Sequence, residues 1–272
     1  MYPNGTSSLS VHNQEGVRVG HPLHIRKTWY FTARSNNNFG GIEVEIGSIV
    51  PLIGDKSIQI IGGGSLGSKV ASTLSAMCAP RLHVWDDDKV EGRNLFNQRF
   101  QIEHIGSPKP DAVADYCGRV NKSVVIIPHY EKVHADTPLD GYVFVCVDSM
   151  QARKNIWRAA QQSDGVTLLV DGRVGLDGGK IFALDPHNIA HQRRYSQPPH
   201  MHDDPLGLGG GCKTDFPAPY LSDLVAAHMI TRFVEWLGVE SGSEKPFMNF
   251  FGFLFDPYRD AREYWLETGM DT

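Results

Sequence analysis

The chain has 272 residues, 41% of them hydrophobic, and a formal net charge of −5, which suits one large domain with a buried core. It lacks the basic excess typical of nucleic-acid binding, and no apolar run approaches the roughly 20 residues that span a bilayer. The N-terminus shows no signal-peptide pattern. We therefore expect a cytoplasmic protein that binds neither nucleic acid nor membrane.

The beginning of the sequence differs from the rest. Residues 1–24 are rich in Ser, Asn, Gly and His without a hydrophobic period, which predicts a flexible tail. Residues 28–33 and 42–46 are strand-like and enclose an Asn- and Gly-rich stretch, which predicts a β-hairpin. We therefore divide the chain into this tail, a hairpin extension at 25–52 and a main domain at 53–272.

The main domain alternates strand and helix patterns. Strands are predicted at 57–61, 82–85, 124–127, 142–147 and 166–170, and helices at 65–78, 110–120 and 150–162. The last two strand segments are nearly continuous apolar runs, as parallel strands buried on both faces should be. The pattern predicts an α/β fold, with helices on both faces of a mostly parallel sheet.

The pattern changes after residue 171. Segments 180–184 and 248–254 are strand-like and are expected to extend the sheet as antiparallel strands, and a long helix with one apolar face lies between them. Residues 185–211 form a long stretch rich in His, Pro, Gly and Asp, and loops of this length are usually functional or disordered. We expect this crossover loop to be mobile until a partner binds.

A glycine turn follows the first strand of the main domain. Gly62, Gly64 and Gly67 form a Gly-x-Gly-x-x-Gly pattern between a strand and a helix, as in nucleotide sites of Rossmann-like folds. The N-terminus of the helix favours a phosphate group. Asp86 ends the next strand, where a carboxylate can accept hydrogen bonds from ribose hydroxyls.

Further motifs follow in a fixed order. The series is Gly62-x-Gly64-x-x-Gly67, Asp86-x-Asp88-x-Val90-Glu91-x-x-Asn94-Leu95-x-x-Gln98, Ile105-Gly106-Ser107-Pro108-Lys109 and Val147-Asp148-Ser149-x-x-x-Arg153. Their order and spacing resemble the ThiF/MoeB and ubiquitin-activating enzyme superfamily over about residues 57–184, and more weakly to about residue 237. The resemblance does not extend to residues 1–52.

The resemblance implies an enzyme that uses ATP and Mg²⁺ to adenylate the C-terminal glycine of a ubiquitin-like or sulfur-carrier protein. It implies that Asp86 binds the ribose, Lys109 the phosphates and Asp148 the magnesium ion, and that Asn94 faces the phosphate region. The reaction joins two anions, so the site must offset their charge. We also expect a homodimer and, because no CxxC pair occurs, no zinc.

One position departs from the superfamily pattern. Many members carry an arginine on the phosphates at the position of Asn97, and asparagine supplies neither charge nor a bidentate fork. Arg99 lies two residues on and, on an extended segment, shares a face with Asn97 at a different depth. We expect Asn97 to lie against the nucleotide, Lys109 to carry most of the phosphate neutralisation, and Arg99 to be the alternative cation.

Cys212 is the candidate nucleophile. It follows three glycines and precedes the long helix, where several members of the superfamily place the cysteine that takes an acyl or persulfide link. The start of that helix and Lys213 would lower the pKa of its thiol. The alternative is a structural cysteine beside a glycine hinge.

Two other functions remain open at this stage. If the replacement of the usual arginine by Asn97 abolishes catalysis, the chain is a non-catalytic binding partner. If the glycine turn instead binds NAD(P), the chain is an NAD(P)-dependent oxidoreductase. Asn94, Gln98 and Lys109 argue against the oxidoreductase. The sequence does not identify the protein partner, nor whether the product is a conjugate, a thiocarboxylate or an amidated peptide.

Overall fold

A computed structural model of the chain describes residues 49–175, 178–196, 219–242, 247, 249–255 and 262–267. The predicted tail, both strands of the predicted hairpin, Cys212 and the crossover loop beyond Ser196 lie outside these ranges. Within the ranges, eight strands form one sheet. The strands are β1 (Ile58–Ile61), β2 (Arg81–Trp85), β3 (Val125–His129), β4 (Gly141–Val145), β5 (Val166–Val174), β6 (Gly178–Leu184), β7 (Phe250–Phe255) and β8 (Arg262–Glu267).

The helices lie before and between these strands. They are α1 (Val50–Ile53), α2 (Ser65–Ala76), α3 (Lys109–Val120), α4 (Met150–Gln162), α5 (Ile189–Ser196) and α6 (Pro219–Glu240), with short 3-10 helices at Gly92–Phe96 and Ile102–His104. The predicted boundary at residue 53 lies within α1, where Ile49 and Ile53 already pack in the core. Among the described helices, none combines the length and apolar character that a membrane crossing requires.

The strand order places a nucleotide-type crevice in the middle of the sheet. The order is β3-β2-β1-β4-β5-β6-β7-β8, with β1 to β5 parallel and β6 to β8 antiparallel. The chain winds in one direction from β1 to β3 and in the other from β4 onward. The carboxyl ends of β1 and β4 therefore flank a topological switch point, where open α/β sheets bind ligands.

Helices cover both faces of this sheet, as predicted. On one face, α2, α3 and α6 pack through fully buried side chains such as Val70, Val113 and Phe233. On the other face, α4 and α5 bury Ile156, Trp157 and Tyr195. The predicted α/β fold with a mostly parallel sheet and an antiparallel extension is confirmed.

Some local predictions were wrong. Part of the predicted crossover loop forms helix α5 rather than a loop. Burial of Tyr195, whose ring lies edge-on to Trp157 and Phe182, holds this helix against the domain. The segment of Asn97 and Arg99 is not extended but forms a turn and a bend directly after the 3-10 helix Gly92–Phe96. Strand β5 runs four residues beyond the predicted end at 170, which places Asp171 inside the sheet. Strand β8 was not predicted.

Candidate functional site

A cavity of about 390 Å³ lies at the switch point. Its lining comes from the glycine turn, from residues 85–88 after β2, from 131–134 after β3, from 146–149 after β4, and from the first turns of α4. All of these segments follow the carboxyl ends of parallel strands. The cavity therefore occupies the place where the topology predicts a ligand.

The glycine turn is shaped by the backbone of its neighbours. Gly62 has φ +97°, and a Cβ there would lie 2.7 Å from the carbonyl oxygen of Cys146. A Cβ at Gly67 would lie 1.8 Å from the carbonyl oxygen of Gly62. These two positions require glycine for a close turn, whereas Gly64 borders the cavity with open space around it.

Asp86 holds the glycine turn from the side of β2. Its Oδ2 accepts a hydrogen bond from the Gly63 N–H at 2.7 Å, and its Oδ1 accepts one from the Asp88 N–H at 2.9 Å. Burial raises the pKa of the Asp86 carboxyl, and the Lys109 ammonium offsets part of that rise. A carboxylate has about four acceptor sites, so Asp86 keeps acceptor capacity for a ligand.

Lys109 meets the same carboxylates from the start of α3. Its Nζ lies 2.6 Å from Asp88 Oδ2 and 3.6 Å from Asp86 Oδ1, and its side chain is about 10% exposed. The backbone explains this proximity, because the Lys109 N–H donates to the Asp88 carbonyl at 2.9 Å and Lys89 pairs with Pro108. Two motifs that are separate in sequence thus form one charged group.

Asp148 enters the cavity from the other half of the sheet. It follows β4, is exposed and lines the cavity. Capping of α4 is performed by Ser149, whose hydroxyl accepts from the Ala152 N–H at 3.4 Å. The N-cap of α4 is therefore Ser149, and Asp148 does not have this structural role.

The donor set of the cavity suits a hard cation. One oxygen from each of Asp86, Asp87 and Asp88 lies within 4.8 Å of the others, and Asp148 adds a carboxylate across the cavity. Carboxylate oxygens are the ligands that Mg²⁺ prefers. The residues present therefore fit a magnesium ion that is bound together with phosphates.

Three residues soon after Asp88, namely Asn94, Asn97 and Arg99, make their contacts outside the cavity. Asn94 Oδ1 accepts a hydrogen bond from the Glu91 N–H at 2.8 Å and so caps the 3-10 helix. Asn97 Oδ1 accepts from the Ser222 hydroxyl at 3.1 Å. Arg99 forms an ion pair of 2.7 Å with Asp223. None of the three borders the described cavity, and their predicted roles on the nucleotide stay predictions.

Asn97 and Arg99 belong to a second charged group, which we call the α6 anchor. It consists of Lys69, Asn97, Arg99, Ser222 and Asp223. The Lys69 side chain is 3% exposed, and its Nζ donates to the Pro219 carbonyl at 2.7 Å and lies 3.4 Å from Asp223 Oδ2. The anchor ties the first turn of α6 to α2.

Sequence reasoning missed two parts of the cavity wall. Residues 131–134 line it, and their position after a parallel strand was the signal that could have found them. Trp85 lines it as well, with its indole stacked on the His129 ring at 3.6 Å between centroids. Burial lowers the pKa of His129, with a smaller contribution from His83, so the ring stacks as a neutral imidazole near neutral pH.

The described cysteines are poor nucleophiles where they are buried. Burial raises the pKa of Cys117 to about 11. Cys146 borders the cavity, but burial raises the pKa of its thiol even further. A thiolate at neutral pH is therefore not expected at either position.

Comparison with known sequences supports the motif assignment. A profile of the ThiF family matches residues 52–215. Adenylyltransferase and sulfurtransferase MOCS3-1 of Zea mays is 34% identical over 79 residues, which are 29% of this chain and 17% of the relative. Ubiquitin-like modifier-activating enzyme 5 of Caenorhabditis briggsae is 29% identical over 157 residues. The match covers 51% of this chain and 36% of the relative. The chain thus matches well under half the length of either curated relative.

Solved structures share the fold at low identity. The superposition on PaaA has a TM-score of 0.59 at 14% identity. It covers 79% of this chain and 66% of the PaaA chain. The superposition on MccB of E. coli, solved with ATP, has a TM-score of 0.59 at 12% identity. It covers 80% of this chain and 65% of the MccB chain. At these identities the likeness establishes the architecture of the sheet and its helices.

Proposed function

Because the chain belongs to the ThiF family, we propose that it uses ATP to adenylate the C-terminal glycine of a ubiquitin-like or sulfur-carrier protein. One observation carries the proposal. The glycine turn, Asp86, Lys109 and Asp148 border a single cavity at the switch point. The relatives named as adenylyltransferases and the MccB structure with ATP support the same ligand.

The proposed chemistry uses the two sides of the cavity differently. The free acceptor sites of Asp86 bind ribose hydroxyls, and the glycine turn with the N-terminus of α2 receives the phosphates. A carboxylate oxygen of the partner's terminal glycine attacks the α-phosphorus, the bond to the β-phosphate oxygen breaks, and pyrophosphate leaves. Lys109 stabilises the negative charge on the phosphates.

The proposal includes a magnesium ion bound by carboxylates of the cavity. Asp148 would hold it, and the carboxylates of residues 86–88 line the same cavity. When bound, it supplies neutralisation of the phosphate charge. We also propose that the chain acts as a homodimer, in the cytoplasm.

A second step would follow on Cys212. Its thiolate attacks the carbonyl carbon of the acyl adenylate, the bond to the AMP oxygen breaks, and a thioester forms. Incubation of protein, ATP and partner should then give a thiol-sensitive adduct on a non-reducing gel. Cys212→Ala should remove it, and Cys78→Ala, a change at a partly exposed cysteine, should not. If adduct and product formation both survive Cys212→Ala, Cys212 is structural and does not take the acyl group.

Exchange of labelled pyrophosphate into ATP tests the first step. We expect exchange with a candidate partner that ends in glycine, and none when that glycine is deleted. Absence of exchange with every candidate, together with tight binding of NAD in calorimetry, would replace the proposal by the oxidoreductase alternative.

A partner protein without catalysis is the second candidate. It is favoured by Asn97, which contacts Ser222 in the α6 anchor rather than the cavity. This candidate predicts that the chain binds a ubiquitin-like protein but supports no exchange. Recovery of exchange in the Asn97→Arg variant would establish that the missing guanidinium is the reason.

A further inference from the structure

A cluster of buried charge lies directly behind the cavity wall. Asp171 of β5 is fully buried, and its Oδ1 accepts from Arg153 Nε at 3.0 Å. Its Oδ2 accepts from Arg173 Nε and from the Tyr195 hydroxyl, each at 2.7 Å. Burial by itself would raise the pKa of Asp171, but Arg173 and Arg153 outweigh it and hold that pKa below its ordinary value.

Such a cluster is costly to build. Buried ions lose hydration, and a buried ion pair often stabilises a fold no better than apolar residues of similar size. Arg173 adds a contact over the Phe182 ring at 4.6 Å. Packing alone therefore does not explain why these charges lie here, and their connection to the cavity is informative.

Arg153 makes that connection. Its Nη2 donates to the Val147 carbonyl at 2.5 Å and to the Gly172 carbonyl at 3.4 Å. The guanidinium thus binds the buried carboxylate and the backbone next to Asp148 at the same time. The planar guanidinium fork presents its several donors in fixed directions, which suits it to bridge these two acceptors.

The backbone that Arg153 holds also touches the glycine turn. The Cys146 N–H donates to the Ile61 carbonyl at 2.8 Å, and the Cys146 carbonyl occupies the space that a side chain on Gly62 would need. Residues 146–148 are therefore enclosed between the glycine turn and Arg153. The placement of Asp148 relative to that turn depends on both contacts.

We propose that Arg153 is a positioning residue that fixes residues 146–148, and with them the Asp148 carboxylate, against the glycine turn, and that Asp171 acts by orienting Arg153. The inference rests on the proposed function, because it assigns Asp148 to the metal-bound nucleotide. Tyr195 joins the same cluster from α5, so this helix is tied to the wall of the cavity.

Two conservative variants separate positioning from stability. Arg153→Lys and Arg173→Lys each keep a positive charge beside Asp171, but lysine has no fork that reaches both Asp171 and Val147. Calorimetry should show that Arg153→Lys weakens binding of ATP with Mg²⁺ about tenfold, the loss expected for a charge-assisted hydrogen bond. Arg173→Lys should lower Tm while affinity changes less than about twofold.

A double-variant cycle tests whether Arg153 acts through Asp148. In the Asp148→Ala background, Arg153→Lys should weaken ATP binding by less than about twofold, because the group it positions is gone. An undiminished tenfold loss in that background would overturn the inference.

A measurement without ligand keeps this inference separate from the proposed function. Amide exchange by mass spectrometry should be faster for the peptide that covers residues 144–150 in Arg153→Lys, and unchanged there in Arg173→Lys. Equal exchange in the two variants would show that Arg153 is only structural. If the wild type binds no ATP, the adenylation proposal fails, while this exchange result still decides whether Arg153 holds the cavity wall.

Discussion

The cavity and the α6 anchor both contain lysines and carboxylates near the first turn of α2, but their charge balance is opposite. Five described residues that line the cavity are acidic and two are lysines; they are Asp86, Asp87, Asp88, Glu131, Asp148, Lys109 and Lys132. In the anchor, Lys69 and Arg99 share one carboxylate, that of Asp223.

This difference has a chemical consequence. An acidic cavity repels the phosphates of ATP unless a divalent cation enters with them. Asn97 carries no positive charge, but two cations, Lys69 and Arg99, lie in the same anchor. Both contact the first turn of α6 rather than the cavity. For the proposed adenylation we therefore expect catalysis to depend on Asp148 and Lys109, and the anchor to contribute stability.

The largest effect is expected at Asp148. Asp148→Ala should abolish pyrophosphate exchange, because the carboxylate that offsets the acidic repulsion through a metal ion is lost. Glu131→Ala serves as the control, since it also removes one negative charge from the cavity wall but no member of the carboxylate cluster at residues 86–88. If the two variants retain similar exchange rates, Asp148 has no special role.

The next effect compares the two regions directly. Lys109→Ala should reduce exchange about 100-fold, as for loss of one group that stabilises charge in the transition state. Arg99→Ala should reduce it less than about threefold, since its partner Asp223 lies in the anchor and exposed ion pairs contribute little. A larger loss for Arg99→Ala would show that the arginine function has moved by two residues.

A smaller effect is expected for ATP affinity at Asp86. Asp86→Ala should weaken binding by about 1–3 kcal/mol through lost hydrogen bonds to a charged group, measured by calorimetry. Affinity in the wild type should also fall with decreasing pH, and the fall should begin above the pH typical of an exposed aspartate, because burial raises the pKa of Asp86.

The sign of the stability change separates this fall from acid unfolding. A carboxyl whose pKa is raised on folding disfavours the folded state above its unfolded pKa, and that cost disappears as the pH falls through its folded pKa. Protonation of Asp86 therefore weakens ligand binding without itself unfolding the chain. Loss of affinity that coincides with a loss of far-UV circular dichroism would contradict this explanation.

The smallest effect is expected within the anchor. Asn97→Arg adds a third cation to the anchor, beside Lys69 and Arg99, and removes one of the acceptors of the Ser222 hydroxyl. We expect Tm to fall by a few degrees and exchange to change less than about threefold. A large gain in exchange would mean that the anchor reaches the phosphates and that the two regions form one site.

Much of the fold could be predicted because the buried strands are mostly apolar. Strand β1 and helices α2 and α4 lie within two residues of their predicted bounds. The 3-10 helix at Gly92–Phe96 could not be predicted from periodicity, since it is short and depends on the capping contact of Asn94 with Glu91. Helix α5 is mostly polar and is held by the burial of Tyr195.

The location of two candidate residues could be predicted from the sequence. Asp86 was predicted from its position at the end of a strand and Asp148 from the motif shared with the superfamily, and both lie at the switch point. The contact of Lys109 with Asp86 and Asp88 depends on the pairing of Lys89 with Pro108, a long-range event that leaves no local pattern. Asp171 was missed because a charged residue after an apolar run looks like the end of a strand, although β5 continues to Val174.

The stack of Trp85 on His129 gives the molecule an optical reporter. Indole emission responds to the polarity of its surroundings, and Trp85 lies at the cavity wall with its ring stacked on His129 and its N–H bonded to Gln59. A nucleotide that displaces water from this wall changes the emission of Trp85 without any label. In a variant that retains Trp85 alone among the five tryptophans, occupancy of the cavity becomes a fluorescence signal that can be followed in real time.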